Sequence, residues 1–216
     1  MSYGFRVEIC GDYACFSRPE LKVERVSYDI ITPSAARGIL EAVMWEPAIR
    51  YHIDEIIICA PIKYENIRRN EVAFKANSLE PKSANENRQL RASMVLKDVR
   101  YVVTAHFEMT EKAKERDNEG KFADMIRRRL EKGQCFHAPY LGVREFPAKI
   151  RLLSEDKIPP TPIDETRTLG IMLYDIDYVK EIDKNGNETV IEFKPTYFFA
   201  DMKHGVVDLR GVEVLQ

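Results

Sequence analysis

Residues 27–50 read SYDIITPSAARGILEAVMWEPAIR, and the rest of the chain is arranged around this stretch. Thr32 has the side chain of an N-cap. Pro33 follows at the first helical position, where its missing N–H costs nothing and its fixed φ suits a helix. Ala35, Ile39, Ala42 and Val43 recur at intervals of three and four, an apolar stripe suited to lying on a sheet. Pro47 ends the helix, because a residue preceding proline is pushed out of the α region. The spacing therefore predicts a helix from Pro33 to about Trp45 or Glu46, with Met44 and the single tryptophan, Trp45, at its mouth.

Working outward, residues 5–10 (FRVEIC) alternate, with Val7 and Ile9 on one face, and Gly11-Asp12 should end that strand. Residues 54–62 (DEIIICAPI) form a β-branched run too short for most helices, and residues 99–109 (VRYVVTAHFEM) alternate again. After a turn at Asp117 to Gly120, with Lys121 at its exit, Phe122, Met125, Ile126 and Leu130 recur at helical spacing. Gly133 is the expected C-cap of this second helix. Residues 148–153 (AKIRLL) give another strand. Between about 64 and 92 the pattern dissolves into a polar, turn-rich insertion, read as a long loop. The order is β-α-β, insertion, β-α-β: an α+β, ferredoxin-like βαββαβ domain over 1–153. A proline-rich, acidic linker at 154–164 leads to strands at 167–178, 189–199 and 205–214, the first two joined by an Asn185-Gly186 hairpin turn. They predict a small C-terminal antiparallel β-sheet over 154–216.

With 44% hydrophobic and 31% charged residues, the 216-residue chain reads as a soluble globular protein. No apolar run approaches the roughly 20 residues of a membrane helix, and the N-terminus lacks a secretory pattern, so the expected location is the cytoplasm. Cys10, Cys15, Cys59 and Cys135 form no CxxC pair, and His52, His106, His137 and His204 form no HxH or HExxH spacing. No metal and no cofactor is expected. The net charge of −2 is unevenly spread: residues 1–150 carry 25 Lys and Arg against 22 Asp and Glu, and residues 151–216 carry 8 against 13. Arg68-Arg69, Arg88, Arg91, Arg127-Arg128-Arg129 and Lys132 are clustered as phosphate-binding residues are, although a solvated helix face has the same composition. Three arginines in a row cannot all face one way on a helix, so at most two reach one partner.

Five blocks occur in order: GDYACFSRPELKVERVSYDIITPSAARGILEAVMWEPAIR (11–50), IRRNE (67–71), DNEGK (117–121), RRR (127–129) and KGQCFHAPYLGVREFPA (132–148). Together they resemble the CRISPR-associated Cas-five family of the RAMP superfamily, and within it the d-type member of subtype I-C systems. The resemblance implies an RNA-recognition-like domain with a C-terminal β extension. It also implies an endoribonuclease that binds the hairpin of CRISPR repeat RNA and cuts the precursor at the hairpin's base without metal. The 5′ handle is then kept as the protein becomes a subunit of the interference complex.

Cleavage by the adjacent 2′-hydroxyl needs a base, an acid for the leaving 5′-oxygen, and a cation to steady the phosphorane. The family combines an aromatic near the end of the first helix with a lysine-histidine pair at an NEGKH turn. Lys121 matches that lysine, whereas Met44 and Phe122 stand at the other two positions. His137 and Tyr140 are the expected replacements, giving Lys121, His137 and Tyr140 as the catalytic set; Tyr51 and His52, just past the first helix, are conceivable substitutes. Arg127, Arg128, Lys132 and Arg144 are expected on the RNA backbone, joined by Arg68, Arg69 and Arg91 from the insertion, with Phe136 and Tyr140 stacking on bases. Expected partners are CRISPR repeat RNA and other subunits of the complex, with no membrane. Two alternatives stay open: a handle-holding structural subunit that does not cut, favoured by Met44 and Phe122, and a general binder of duplex nucleic acid, including duplex DNA.

Overall fold

The computed structural model describes residues 4–21, 24–72, 88–154, 160–182 and 188–216. In chain order the elements are β1 (Phe5–Ala14), β2 (Arg25–Val26), α1 (Pro33–Val43), β3 (Ile49–Ile58), β4 (Tyr64–Val72), β5 (Arg88–Met109), α2 (Glu119–Lys132), β6 (Lys149–Leu152), β7 (Arg167–Ile182), β8 (Glu188–Met202) and β9 (Val206–Asp208). The main sheet runs β6-β1-β5-β3-β9. β1 and β3, joined through α1, are each antiparallel to β5, which lies between them, and β6 returns antiparallel beside β1. This is the split βαβ order expected of a ferredoxin-like domain.

The helices form where their ends are satisfied. Thr32 Oγ1 accepts the Ala35 N–H at 3.2 Å, Asn118 Oδ1 accepts the Lys121 N–H at 2.9 Å, and Gly133 closes α2 in the left-handed region at φ +64°. Ile39, Leu40 and Val43 of α1, with Phe122, Ile126 and Leu130 of α2, are buried in one cluster with Val7, Ile9, Ile53 and Val103 of the sheet. The other sheet face is largely polar, with Arg6, Arg100, Thr104, His106 and His52 on it.

Five sequence expectations change. α1 stops at Val43, because Met44 is already extended at φ −150°. β1 does not break at Gly11-Asp12 but continues to Ala14, its pairing with β5 running on through Gly11↔Val99 and Tyr13↔Lys97. β3 begins at Ile49, five residues before the expected strand, its polar Arg50 and His52 lying on the solvated face. The insertion is not a loop over 64–72 and 88–92: β4 pairs residue by residue with the first half of β5, from Tyr64↔Leu96 to Val72↔Arg88. The pattern concealed it because one face of this arm is solvated and the other is largely ionic, leaving no apolar alternation to detect. β7 and β8 form the expected C-terminal antiparallel pair, while the third expected strand is reduced to Val206–Asp208 and joins β3 instead. Asn185-Gly186 and residues 155–159 of the proposed linker lie outside the described residues.

Two glycines make opposite predictions. Gly142 adopts φ +83°, and a Cβ there would collide with the Cys15 carbonyl, on the segment whose Cys15 N–H donates to the Leu141 carbonyl at 3.0 Å. Gly142→Ala is expected to cost about 3 kcal/mol or more in denaturant unfolding. Gly38, inside α1, has open space around it. Gly38→Ala is expected to raise stability by about 0.5–1 kcal/mol in the same assay.

Candidate functional site

α1 leaves its last carbonyls without helical partners, and three other parts of the chain supply them. The Ala42 carbonyl accepts the Phe136 N–H at 2.8 Å and the His137 N–H at 3.1 Å. The Val43 carbonyl accepts from the Arg129 guanidinium at 2.8 Å, and the Met44 carbonyl from the Tyr51 hydroxyl at 2.9 Å. Residues 136–137 are thereby held against the helix end, with α2 clamped alongside.

This arrangement leaves a groove of about 480 Å³. Its floor is one side of α1, formed by Ser34, Ala35, Gly38, Glu41 and the buried Ala42. Its walls are aromatic. Trp45 is 55% exposed, Phe136 69% and Tyr178 53%, in a molecule whose other large apolar side chains are mostly buried. His137 and Tyr140 complete the rim and stack with ring centroids 6.4 Å apart.

Of the expected catalytic set, His137 and Tyr140 therefore come together, and Lys121 does not join them among the groove's lining residues. Lys121 lies in the first turn of α2, eight residues before Arg129, or about 12 Å along the helix axis. Its ammonium meets the Asp117 carboxylate at 2.7 Å, and that bond, with a Lys114 N–H, holds the Asp117 carboxyl below the usual carboxylate range. The lysine side chain is 43% exposed while the Asp117 side chain is 10% exposed, so the ammonium is the partner that can swing away into solvent.

Met44 and Phe122 are fully buried, at 0% and 2% exposure, and offer nothing to a substrate. Tyr51 does not replace them: burial, reinforced by the Glu41 carboxylate, pushes its phenol far above the ordinary range and keeps the proton on the oxygen that holds Met44. His52 lies on the opposite sheet face, stacked on His106 at 5.2 Å, with His106 bonded to Asp54 at 2.9 Å.

The expected RNA-binding residues separate into two groups. Arg127, Arg128, Lys132 and Arg144 are exposed, and Arg68 lies on the exposed side of β4; none has an ion-pair partner among the described residues. Arg69 and Arg91 are engaged internally. Arg69 pairs with Glu145 and lies over the Phe146 ring at 5.4 Å, and Arg91 meets Glu71 at 3.7 Å, which also pairs with Arg25 at 3.2 Å. These contacts pin the β4–β5 arm to the body. The run at 127–129 divides as helix geometry requires, two arginines outward and Arg129 inward. Sequence reading did not find Glu41 or Tyr178. Tyr178 reaches the groove from β7, far along the chain, and no local pattern signals that return.

An antiparallel ferredoxin-like sheet backed by two helices, with an aromatic groove at one helix end beside a cationic helix, defines the class of protein. The family model described as CRISPR-associated protein (Cas_Cas5), of the Cas5d type, matches residues 4–210, and the chain belongs to this family. It is 46% identical over 226 aligned residues to the CRISPR pre-crRNA endoribonuclease Cas5d of Mannheimia succiniciproducens, covering 97% of this chain and 96% of that protein. It is 43% identical over 176 residues to the protein of the same name from Thermus thermophilus, covering 82% of this chain and 74% of that one. A crystal structure of a CRISPR-associated protein superimposes with a TM-score of 0.70 at 20% identity, covering 100% of this chain and 97% of the other. A chain of a CRISPR RNA-guided surveillance complex gives 0.50 at 12% identity, covering 98% and 89%. At those identities the two structures speak for the fold alone. No helix among the described residues is long and apolar enough to cross a membrane.

The clamp at the end of α1 has a measurable cost. Tyr51→Phe keeps the ring and strands the Met44 carbonyl; unfolding should show a loss of about 1–2 kcal/mol, with RNA cleavage at permissive temperature unchanged. Loss of cleavage by a folded Tyr51→Phe protein would instead make Tyr51 catalytic.

Proposed function

We propose that this chain binds the hairpin of CRISPR repeat RNA, cuts the precursor at the hairpin's base, and retains the 5′ product as a subunit of an interference complex. Two curated relatives matched over most of their length are pre-crRNA endoribonucleases. The observation that carries the reading is the continuity of groove and cationic helix. Lys121, Arg128 and Lys132 follow one another at i, i+7 and i+11, one face of α2, over about 16 Å, and the chain beyond Lys132 turns straight into the groove rim at Phe136 and His137. A strand whose bases rest on the aromatics can therefore lay its phosphates along α2.

The chemistry follows from the separation. In cleavage by the adjacent 2′-hydroxyl, the attacking oxygen, phosphorus and leaving 5′-oxygen must be brought into line, and charge collects on the non-bridging oxygens. Lys121, released from Asp117, supplies positive charge to those oxygens. As the 2′-oxygen–phosphorus bond forms and the phosphorus–5′-oxygen bond breaks, the 2′-hydroxyl proton passes to water and the leaving 5′-oxygen takes one from water. His137 and Tyr140, about a helix length away, anchor the strand that sets the line, with Arg127, Arg144 and Arg68 adding backbone contacts. This assigns the lysine to the cut and the rim to binding. The second reading, a handle-holding subunit that does not cut, is favoured by the burial of Met44 and Phe122. Under either reading other subunits of the complex are partners, and the exposed cross-strand pairs Ile171↔Phe199 and Tyr178↔Phe193 offer apolar contact area.

The test is incubation of the full chain with repeat RNA from its own locus in EDTA. Wild type should cut once, at the hairpin base, and Lys121→Ala should lower the single-turnover rate at least about a hundredfold at saturating protein. His137→Ala should mainly weaken binding. Binding without cutting by wild type would establish the second reading, and equal retention of unrelated duplex DNA would favour general duplex binding. A further expectation concerns salt. Arg128→Ala and Lys132→Ala should each reduce the slope of log affinity against log salt by about 0.7–0.9, whereas Arg69→Ala should leave the slope unchanged and lower stability.

A further inference from the structure

The groove has the wrong charge for a phosphate. Among its lining residues Glu41 is the one Asp, Glu, Lys or Arg, and it is an acid. Its Oε1 accepts from Arg37 at 2.6 Å, and Arg37 also bridges to Asp175 at 2.6 Å. Burial opposes the Arg37 charge, but these two carboxylates more than offset it and raise its pKa, so the guanidinium is a fixed post that orients Glu41 from behind. Glu41 Oε2 has no partner among the described residues. Beside it, Gly38 leaves the helix backbone bare, and nothing lies within 4 Å of the position its Cβ would take. Trp45 and Phe136 expose their rings at the same cavity.

A flat aromatic ligand with hydrogen-bond donors on its edge fits this combination, and a phosphodiester does not: the backbone belongs outside, on α2 and Arg144. A carboxylate accepts and cannot donate. Among the RNA bases it pairs best with guanine, whose N1–H and N2 amine present two donors side by side to one carboxylate. It pairs worst with uracil, whose single N3–H is flanked by two carbonyls. Resting on the reading of this groove as an RNA site, we infer that it receives one unstacked guanine, with Glu41 as the specificity-determining residue and Trp45 and Phe136 as its stacking platform. Bases stacked on aromatic side chains give affinity with little preference, so the choice of base falls to Glu41.

The single tryptophan makes the inference directly testable, because Trp45 fluorescence reports occupancy of this cavity and not of the basic face. The full chain is titrated with the pentaribonucleotides UUGUU, UUIUU and UUUUU, where I is inosine, which keeps N1–H and lacks the N2 amine. UUGUU should quench Trp45 at a concentration about ten times lower than UUUUU, with UUIUU between them. Glu41→Gln, whose amide both donates and accepts, should bring the guanine and uracil curves to within about twofold while the overall far-UV circular dichroism is unchanged. The inosine comparison needs no variant, so it stands even where Glu41→Gln folds poorly. Quenching by all three oligonucleotides at the same concentration overturns the role of Glu41 and leaves the groove as an RNA site. Binding detected by filter retention with no change in Trp45 fluorescence overturns the groove reading itself.

Discussion

The end of α1 is the constraint on which the site depends. Three successive carbonyls, of Ala42, Val43 and Met44, point out of the helix with no partner of their own, and water is excluded from much of this region. The chain answers them with the backbone of residues 136–137, the guanidinium of Arg129 and the hydroxyl of Tyr51. A buried carbonyl without a donor costs roughly 1–3 kcal/mol, so these bonds are held together rather than made singly. One consequence is positional. The loop that bears Phe136, His137 and Tyr140 cannot drift from α1 without breaking both bonds to the Ala42 carbonyl, and the groove takes its shape from that requirement. A second is that Arg129, chemically identical to its two neighbours, serves the fold while they face solvent.

β5 provides the frame. Its 22 residues pair with β4 and β2 at one end and with β1 and β3 at the other, so the arm carrying Arg68 and the sheet beneath the helices share one strand. The arm is not secured by a core of its own. Arg25, Arg69 and Arg91 with Glu71 and Glu145 make a partly exposed ionic network on its inner side, and Phe146 receives the Arg69 guanidinium. Individually such pairs are worth little, and here their value is orientation.

Much of this was legible in the sequence, for identifiable reasons. Thr32-Pro33 marked the start of α1 because N-capping is local chemistry, and Gly133 marked the end of α2 because only a left-handed residue closes that turn. The order of apolar periods gave the ferredoxin-like core. What was hidden was non-local. β4 carries mostly charged and polar residues on both faces, with Ile67 the one partly buried aliphatic, so its strand character resides in the partner strand. The expected grouping of Lys121 with His137 and Tyr140 rested on proximity of motifs, whereas the length of α2 keeps the lysine at the far end. Glu41 looked like an ordinary surface residue of an amphipathic helix, and it becomes part of a groove only because β7 returns to build the opposite wall with Leu173 and Tyr178.

The same geometry underlies the proposed separation of binding from cutting. The groove is open to solvent, walled by aromatic rings and carries an acid, while the outer side of α2 is cationic. A single RNA strand satisfies both only by turning its bases one way and its phosphates the other. The most direct measurement is photo-crosslinking of repeat RNA carrying 4-thiouridine at successive positions, followed by mapping of the linked residues. The account predicts links at residues 41–45 and 134–140, with neighbouring positions reaching α2. Links confined to the open sheet face, around Arg6, Arg100 and His106, would contradict it.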